Sequence, residues 1–302
     1  MGGTKIAAGI VRFPSGEVTA KLVIPTQPER GGEAILAEVM DLARGLAAQC
    51  EEPSAVFAGI GVGVAELVDG IGNVTSEQTI AWENTPLQER LSTIAPTVVE
   101  SDVRAGALAE AIWGAGRAFR VFTYITVGTG ISHCLVQDQV PFAGARGNAL
   151  IFASAALTTT CTKCGEVVNE ILEEVGSGPG LVRRYNQRVH GNVATCGEDV
   201  VARAASGETV AAEVVYQGGR ALGNSVGFLV NVLDPEAVVV GGGLGLSGGL
   251  YWNAFETATR EHIWSKASRD LLILPAALGA DTGLIGAAAA AWKRRGRSVQ
   301  IV

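Results

Sequence analysis

Val121-Phe122-Thr123-Tyr124-Ile125-Thr126-Val127-Gly128-Thr129-Gly130-Ile131-Ser132-His133-Cys134-Leu135-Val136 is an apolar run rich in β-branched residues, broken by a three-residue turn and then resumed. Such a run predicts a strand, the turn, and a second strand. Without a Cβ, the two glycines let the backbone approach a ligand closely and aim N–H groups at one anion, and Thr129 adds a hydroxyl. A counterpart opens the chain, where Gly2-Gly3-Thr4 precedes the apolar stretch Lys5 to Arg12. Two small, hydroxyl-bearing turns, each beside an apolar strand, suggest two similar halves that each offer backbone donors to an anion. Either turn alone is equally a plain chain reversal.

Outward from these turns the pattern alternates. Phe13 to Gly16 reads as a turn and Glu17 to Pro25 as the returning strand. Gly31 to Cys50 carries Ile35, Leu36, Val39, Met40, Leu42 and Leu46 on one helical face. Ala55 to Val62 and Thr97 to Glu100 read as buried strands, the latter running into a helix from about Val103 to Gly114. Gly197 to Val232 is strongly helical, Ala237 to Val240 is a buried strand ending at Gly241-Gly242-Gly243, and Leu284 to Arg294 is an Ala-rich helix. Strands alternating with helices predict an α/β protein.

Composition narrows the function. With 302 residues, 48% of them apolar and 18% charged, the chain supports a large core and is not a disordered type. A net charge of −7 argues against a general nucleic-acid or membrane-surface binder. No signal-like opening and no run of 18 apolar residues occurs, so a cytoplasmic protein without a membrane partner is expected. An odd five cysteines point to reduced thiols.

Three further features carry chemistry. Asp102 stands where a strand meets a helix start, the place open α/β sheets give to reacting groups. A carboxylate there either takes a proton from an attacking hydroxyl or caps the helix. Gly241-Gly242-Gly243 after Val238-Val239-Val240 either lets a flat ligand such as adenine lie on the backbone or is a tight strand-to-helix link. No G-x-x-x-x-G-K-[ST] motif is present, which excludes a P-loop.

Together the motifs resemble the ROK family of bacterial sugar kinases and sugar-responsive repressors. The resemblance rests on Gly2-Gly3-Thr4-Lys5-Ile6-Ala7-Ala8-Gly9, Gly59-Ile60-Gly61-Val62-Gly63 through Trp82-Glu83-Asn84-Thr85-Pro86-Leu87, and Ser101-Asp102 with Ala105, Ala107, Leu108 and Glu110. It continues through Gly114-Ala115-Gly116-Arg117, Thr126 to Ile131, Gly144-Ala145-Arg146-Gly147-Asn148-Ala149 and Val238 to Gly243, in the family's order. It implies an actin-like (ribonuclease H-like), two-lobed sugar kinase fold whose cleft holds MgATP and a hexose. The first lobe is then 1–117, completed by the last helix (about 285–302), and the second is 118–284. Asp102 is the implied general base. Gly3, Thr4, Lys5, Gly128, Thr129 and Gly130 are the implied phosphate contacts, and Gly241, Gly242 and Gly243 the adenosine contacts. Ser101, Asp102, Asn148, Ile151, Ser154 and Glu173 occupy the sugar-binding positions, with Glu170 an alternative to Glu173. A sugar is the implied partner, and a homodimer is compatible with the resemblance.

The departures bear on substrate and metal. Family members carry D-x-G-G-T-K, so a strand ending in Asp is expected upstream of Met1. Ser101 replaces a usual Asn. Ile151 and Ser154 replace the Glu and His of G-E-x-G-H, which removes a carboxylate acceptor typically worth roughly 1.5–3 kcal/mol. These changes tilt the expected sugar from glucose toward an amino-deoxyglucose such as kanosamine. Of the family's C-x-C-G-x-x-G-C zinc motif, Cys161 and Cys164 remain, half of a tetrahedral site, so bound zinc is not expected. His133 replaces a family glycine beside the second turn. A sugar-sensing regulator and a non-catalytic sugar-binding protein are the rival readings, and the residues before Asp102 contain no DNA-reading domain to support the first.

Overall fold

The computed structural model describes residues 1–50, 57–82, 85–160, 164–165 and 167–298. In chain order the elements begin with strands β1 (Lys5–Arg12) and β2 (Glu17–Pro25), helix α1 (Gly32–Ala48), β3 (Ile60–Val64), α2 (Leu87–Ser92), β4 (Thr97–Ser101) and α3 (Asp102–Ile112). There follow β5 (Val121–Val127), β6 (Ile131–Gln137), β7 (Val140–Pro141), β8 (Thr159–Thr160), β9 (Val167–Val168), α4 (Leu172–Gly176) and α5 (Gly178–Arg188). The chain continues through α6 (Gly197–Ala205), α7 (Thr209–Leu233), β10 (Ala237–Gly241), α8 (Gly249–His262), β11 (Leu272–Pro275) and α9 (Thr282–Ser298). No helix among the described residues is long and apolar enough to cross a membrane.

These elements form two compact units. The first comprises Met1–Arg117, Gln139–Ala149 and Ala280–Val302; the second comprises Ala118–Asp138 and Leu150–Gly279. Residues 139–149, expected from the sequence in the second lobe, lie in the first unit. The reason is local: Arg104 on α3 donates to the Gly147 carbonyl at 2.5 Å, and Lys293 on α9 reaches the Gln139 carbonyl at 3.1 Å.

In the first unit β1 and β2 pair antiparallel, and β3 and β4 pair parallel with Val64 opposite Ser101. Neither β1 nor β3 has a second strand neighbour among the described residues. Between them lies a cavity of about 1230 Å³, lined by both strands, by Val39 and Leu42 of α1 and by Leu284 and Ala287 of α9. Ile35, Leu36, Val64 and Leu91 are fully buried in the core beside it. Helix α9 lies on α3 and β3 because the contact residues are small: a Cβ on Gly286 would strike the Ala105 carbonyl, and one on Gly61 the Ala287 carbonyl.

The second unit is built on a sheet with β11-β10-β5-β6 side by side, β10 parallel to both neighbours and β6 antiparallel to β5. Val238, Val239 and Val240 have no exposed surface, so the central strand is a continuous apolar run, as a strand covered on both faces must be. Helix α7 meets α8 through Gly219, Gly223 and Gly227, spaced one helical turn apart, where a Cβ would collide with the Tyr251, Phe255 and Thr259 carbonyls.

Two boundaries differ from the sequence reading. The strand expected over 55–62 runs from Ile60 to Val64, because Gly59 (φ 149°) sits against the Pro96 carbonyl and turns the chain just before it; residues 55 and 56 lie outside the described residues. The helical stretch from 197 to 232 is two helices, broken at Gly207, whose φ of 92° suits glycine.

Candidate active site

Within the first unit the site is assembled at the carboxyl ends of β3 and β4. Gly2-Gly3-Thr4 is held by buried Thr26, whose N–H donates to the Thr4 carbonyl at 3.0 Å and whose hydroxyl donates to the Gly2 carbonyl at 2.6 Å. The Met1 carbonyl accepts from the Ala65 N–H at 3.0 Å, and the Met1 ammonium donates to the Gly63 carbonyl, which places the turn beside the end of β3. The Thr4 and Lys5 side chains are exposed.

Asp102 opens α3 directly after β4. Of its two sequence readings, the capping one falls to its neighbour: buried Ser101 is the N-cap, its Oγ accepting the Arg104 N–H at 3.4 Å. The Ser101 hydroxyl, expected at the sugar, is thereby engaged in the helix cap. Asp102 keeps accessible surface, but it lines the cavity between β1 and β3, where protein surrounds the carboxylate and solvates it poorly. That burial raises its pKa above the ordinary carboxylate value; the Met1 ammonium and the Val103 N–H pull it down, and Glu66 adds to the rise. The net effect is a stronger base than a surface aspartate.

Two further charged residues, Arg104 and Glu66, shape this half. Arg104, 3% exposed, donates from Nε to Glu100 at 2.6 Å, from Nη1 to the Gly147 carbonyl at 2.5 Å and from Nη2 to the Val68 carbonyl at 2.7 Å. It therefore fixes the loop that carries exposed Asn148. Its signal was present: a lone cation within the apolar helix Val103 to Ala109 has to be paired if buried. Glu66, 6% exposed, gathers Ser76 and the backbone of residues 78–80. Glu83 and Asn84 of the Trp82–Leu87 motif lie outside the described residues.

In the second unit the two glycine turns are neighbours, one at the carboxyl end of β5 and one at that of β10, which run parallel. The Leu244 and Gly245 N–H groups both donate to the Val127 carbonyl, at 3.1 and 3.0 Å. Gly242 has φ 85°, and a Cβ there would collide with the same carbonyl. Gly128 is braced by the Gly178 N–H, which donates to its carbonyl at 2.9 Å. Thr129, Gly130 and Gly243 are exposed. A cradle of bare backbone suits a nucleotide's phosphates and base. Exposed Glu198, at the start of α6, lies beside Gly243, with 3.7 Å from its Oε1 to where a Cβ on Gly243 would be; no sequence motif marks it.

Glu173 accepts the Ile131 N–H at 2.8 Å and abuts Gly130, so this sugar candidate also braces the phosphate turn. The alternative, Glu170, lies instead beside Arg183 at 3.7 Å. Ile151 is 52% exposed and Ser154 is also exposed. His133 packs against Phe152, its Nδ1 buried without a partner among the described residues, and burial lowers its pKa. Cys161 lies outside the described residues, Cys164 is exposed, and the described residues contain no group of three metal-binding side chains.

Comparison with known proteins agrees with this arrangement. A glucokinase of Halalkalibacterium halodurans is 26% identical over 95% of this chain and 91% of its own length. The crystal structure of a ROK family glucokinase from Streptomyces griseus in complex with glucose and AMPPNP superposes with a TM-score of 0.83, at 27% identity, over 97% of each chain. A ROK hexokinase from Thermus thermophilus gives a TM-score of 0.80 at 29% identity, covering 98% of this chain and 97% of its own. The fold is the α/β, actin-like one expected from the sequence. The ROK family model matches residues 1–294, nearly the whole chain. The chain belongs to the ROK family.

Proposed function

We propose that this protein is an ATP-dependent kinase that phosphorylates the 6-hydroxyl of a hexose, and that it prefers an amino-deoxyglucose of the kanosamine type to glucose. Asp102 is the observation that carries the reading: a poorly solvated carboxylate at the head of α3, beside the Gly2-Gly3-Thr4 turn, with its capping duty taken by Ser101. The Asp102 carboxylate takes the proton of the sugar hydroxyl as its oxygen bonds to the γ-phosphorus and the bond to the departing ADP oxygen breaks. Its raised pKa brings it nearer the operating pH, where a general base is most effective.

The glycine turns at the ends of β5 and β10 supply backbone donors for ATP, and alignment carries much of the rate in phosphoryl transfer. The Mg²⁺ implied by family membership would be held mainly by the nucleotide's phosphates, with few protein ligands. When bound it neutralises phosphate charge. ATP and Mg²⁺ point to a cytoplasmic protein.

The sugar preference follows from Ile151 and Ser154, exposed at positions where the family uses Glu and His. An ammonium on the sugar gains a charge-assisted bond to a nearby carboxylate that glucose does not make. A coupled ADP-release screen over glucose, mannose, glucosamine, N-acetyl sugars and kanosamine tests this. Turnover with any hexose supports the kinase, and Asp102→Asn should reduce kcat by roughly 10²–10⁴. A kcat/KM for glucose equal to or above that of every amino sugar would remove the substrate preference and leave the kinase.

A further inference from the structure

Glu66 lies two residues beyond β3, and because Val64 pairs with Ser101, Glu66 and Asp102 leave the same end of two adjacent parallel strands. Its carboxylate is completely engaged. Oε2 accepts from the Ser76 hydroxyl and from the Gln78 N–H at 3.0 Å; Oε1 accepts from the Thr79 N–H at 2.6 Å and the Ile80 N–H at 3.0 Å. Four donors fill about four lone-pair sites, which leaves no capacity for a sugar or a metal ion. The carboxylate instead binds a strap, residues 75–80, which is laced further to the chain around Glu66. The Leu67 N–H donates to the Ser76 Oγ at 2.9 Å, the Thr75 N–H to the Leu67 carbonyl at 2.8 Å, and the Thr79 hydroxyl to the Ala65 carbonyl at 3.1 Å. The strap in turn touches the phosphate turn: a Cβ on Gly3 would lie 2.8 Å from the Thr79 Cγ2.

We propose that Glu66 is a positioning residue for phosphoryl transfer, holding Thr79 against the Gly3 turn and so fixing the backbone donors of Gly3 and Thr4. The proposal rests on the kinase reading above. No irregular loop keeps three successive N–H groups converged on one point unaided, because each fixed residue costs backbone entropy. A buried carboxylate beneath them supplies the missing acceptor, and a charge-assisted bond to backbone N–H is stronger than a neutral one.

The charge has a second effect. Among the described residues, the charged groups that act on Asp102 are the Met1 ammonium and Glu66, and of the two only Glu66 favours the protonated base. Removing that charge lowers the pKa of Asp102. A residue with a purely structural role would not move it.

Glu66→Gln is the test, measured on the whole chain by amide exchange and by steady-state kinetics with ATP and the best hexose from the screen. The amide nitrogen cannot accept from the Gln78 N–H and the amide oxygen left to Thr79 and Ile80 is neutral, so exchange should accelerate at least about tenfold at Gln78 and by less at Thr79 and Ile80. KM for ATP should rise by a similar factor, and the acid limb of the kcat/KM profile should move to lower pH. Accelerated exchange with KM for ATP and the acid limb both unchanged would make Glu66 a stability residue only and overturn the proposal. If Glu66→Gln does not fold, Ser76→Ala removes one donor of the four and decides the matter: a rise of about two- to fivefold in KM for ATP supports the proposal, and no change overturns it. Asp102→Asn keeps the two ideas apart. A fully active Asp102→Asn would sink the assignment of the base, while the exchange and KM results for Glu66→Gln would still stand or fall separately.

Discussion

Replacing Arg104 with Met tests whether one buried cation joins the stability of the first unit to sugar binding. Met keeps an unbranched apolar stem and removes the guanidinium. Two carbonyls are then stranded, that of Val68, which has no exposed residue surface, and that of buried Gly147; the Glu100 carboxylate, whose side chain is 28% exposed, loses its cation and keeps the Ser101 N–H at 2.8 Å. Each orphaned carbonyl costs about 1–3 kcal/mol. Relief from desolvating the guanidinium returns part of this, and removing one partner of a buried ion pair leaves a net loss of about 3–5 kcal/mol. At roughly 2–4 °C per kcal/mol for a larger domain, Tm should fall by about 6–20 °C. The kinetic signature is selective. Gly147 precedes Asn148, so KM for the sugar should rise by at least about fivefold while KM for ATP changes by less than twofold. Arg104→Lys, which keeps the charge but cannot reach both carbonyls and Glu100 with one fork, should fall between. Differential scanning fluorimetry and initial-rate kinetics suffice. A Tm loss below about 2 °C with an unchanged sugar KM would refute the reasoning, since the three contacts would then carry no net energy.

Asp102→Asn should raise Tm at pH 8. The folded-state pKa of Asp102 is raised, so its stabilising contribution is present at low pH and lost as pH rises through that value; the advantage of Asn should close below about pH 4, which melting curves at several pH values would show. Gly242→Ala, which needs φ 85° and drives a methyl into the Val127 carbonyl, should raise KM for ATP by at least about tenfold. Nucleotide titration would expose an error, because unchanged affinity means the turn at the end of β10 does not carry the adenosine. Purified protein dialysed against a chelator should hold far less than one zinc per chain by metal analysis, because Cys161 and Cys164 bring only two of the four ligands a structural site needs.

What the sequence discloses depends on how local the cause is. Val238 to Val240 and the run around Gly128 are periodic or continuous apolar stretches bounded by glycine, so their strands and turns are legible without tertiary knowledge. Ser101 and Asp102 are half legible. A strand-to-helix junction with two capping residues does not say which one caps, and the answer follows from the hydroxyl of Ser101 turning to the Arg104 N–H. The work of Arg104 and Glu66 is not legible. Each binds segments 10 to 43 residues away in irregular chain, and no periodicity predicts that Val68 and Gly147, or Ala65 and Thr79, come together. The placement of 139–149 escaped for the same reason: it is decided by Arg104 and Lys293, not by the composition of the segment.

The cavity between β1 and β3 bears on how the two units respond to heat. Side chains that line a cavity lack partner atoms on one side and forfeit part of their dispersion energy. The first unit therefore packs loosely at the place where the second, with β10 flanked on both sides, packs Val238 to Val240 without exposed surface. Loosely packed surface loses fewer contacts on unfolding. The unfolding enthalpy of the first unit should fall short of that of the second. The two units span equal numbers of residues, so chain length cannot account for the difference. In a calorimetric scan the first unit should then melt as the broader, lower-enthalpy transition.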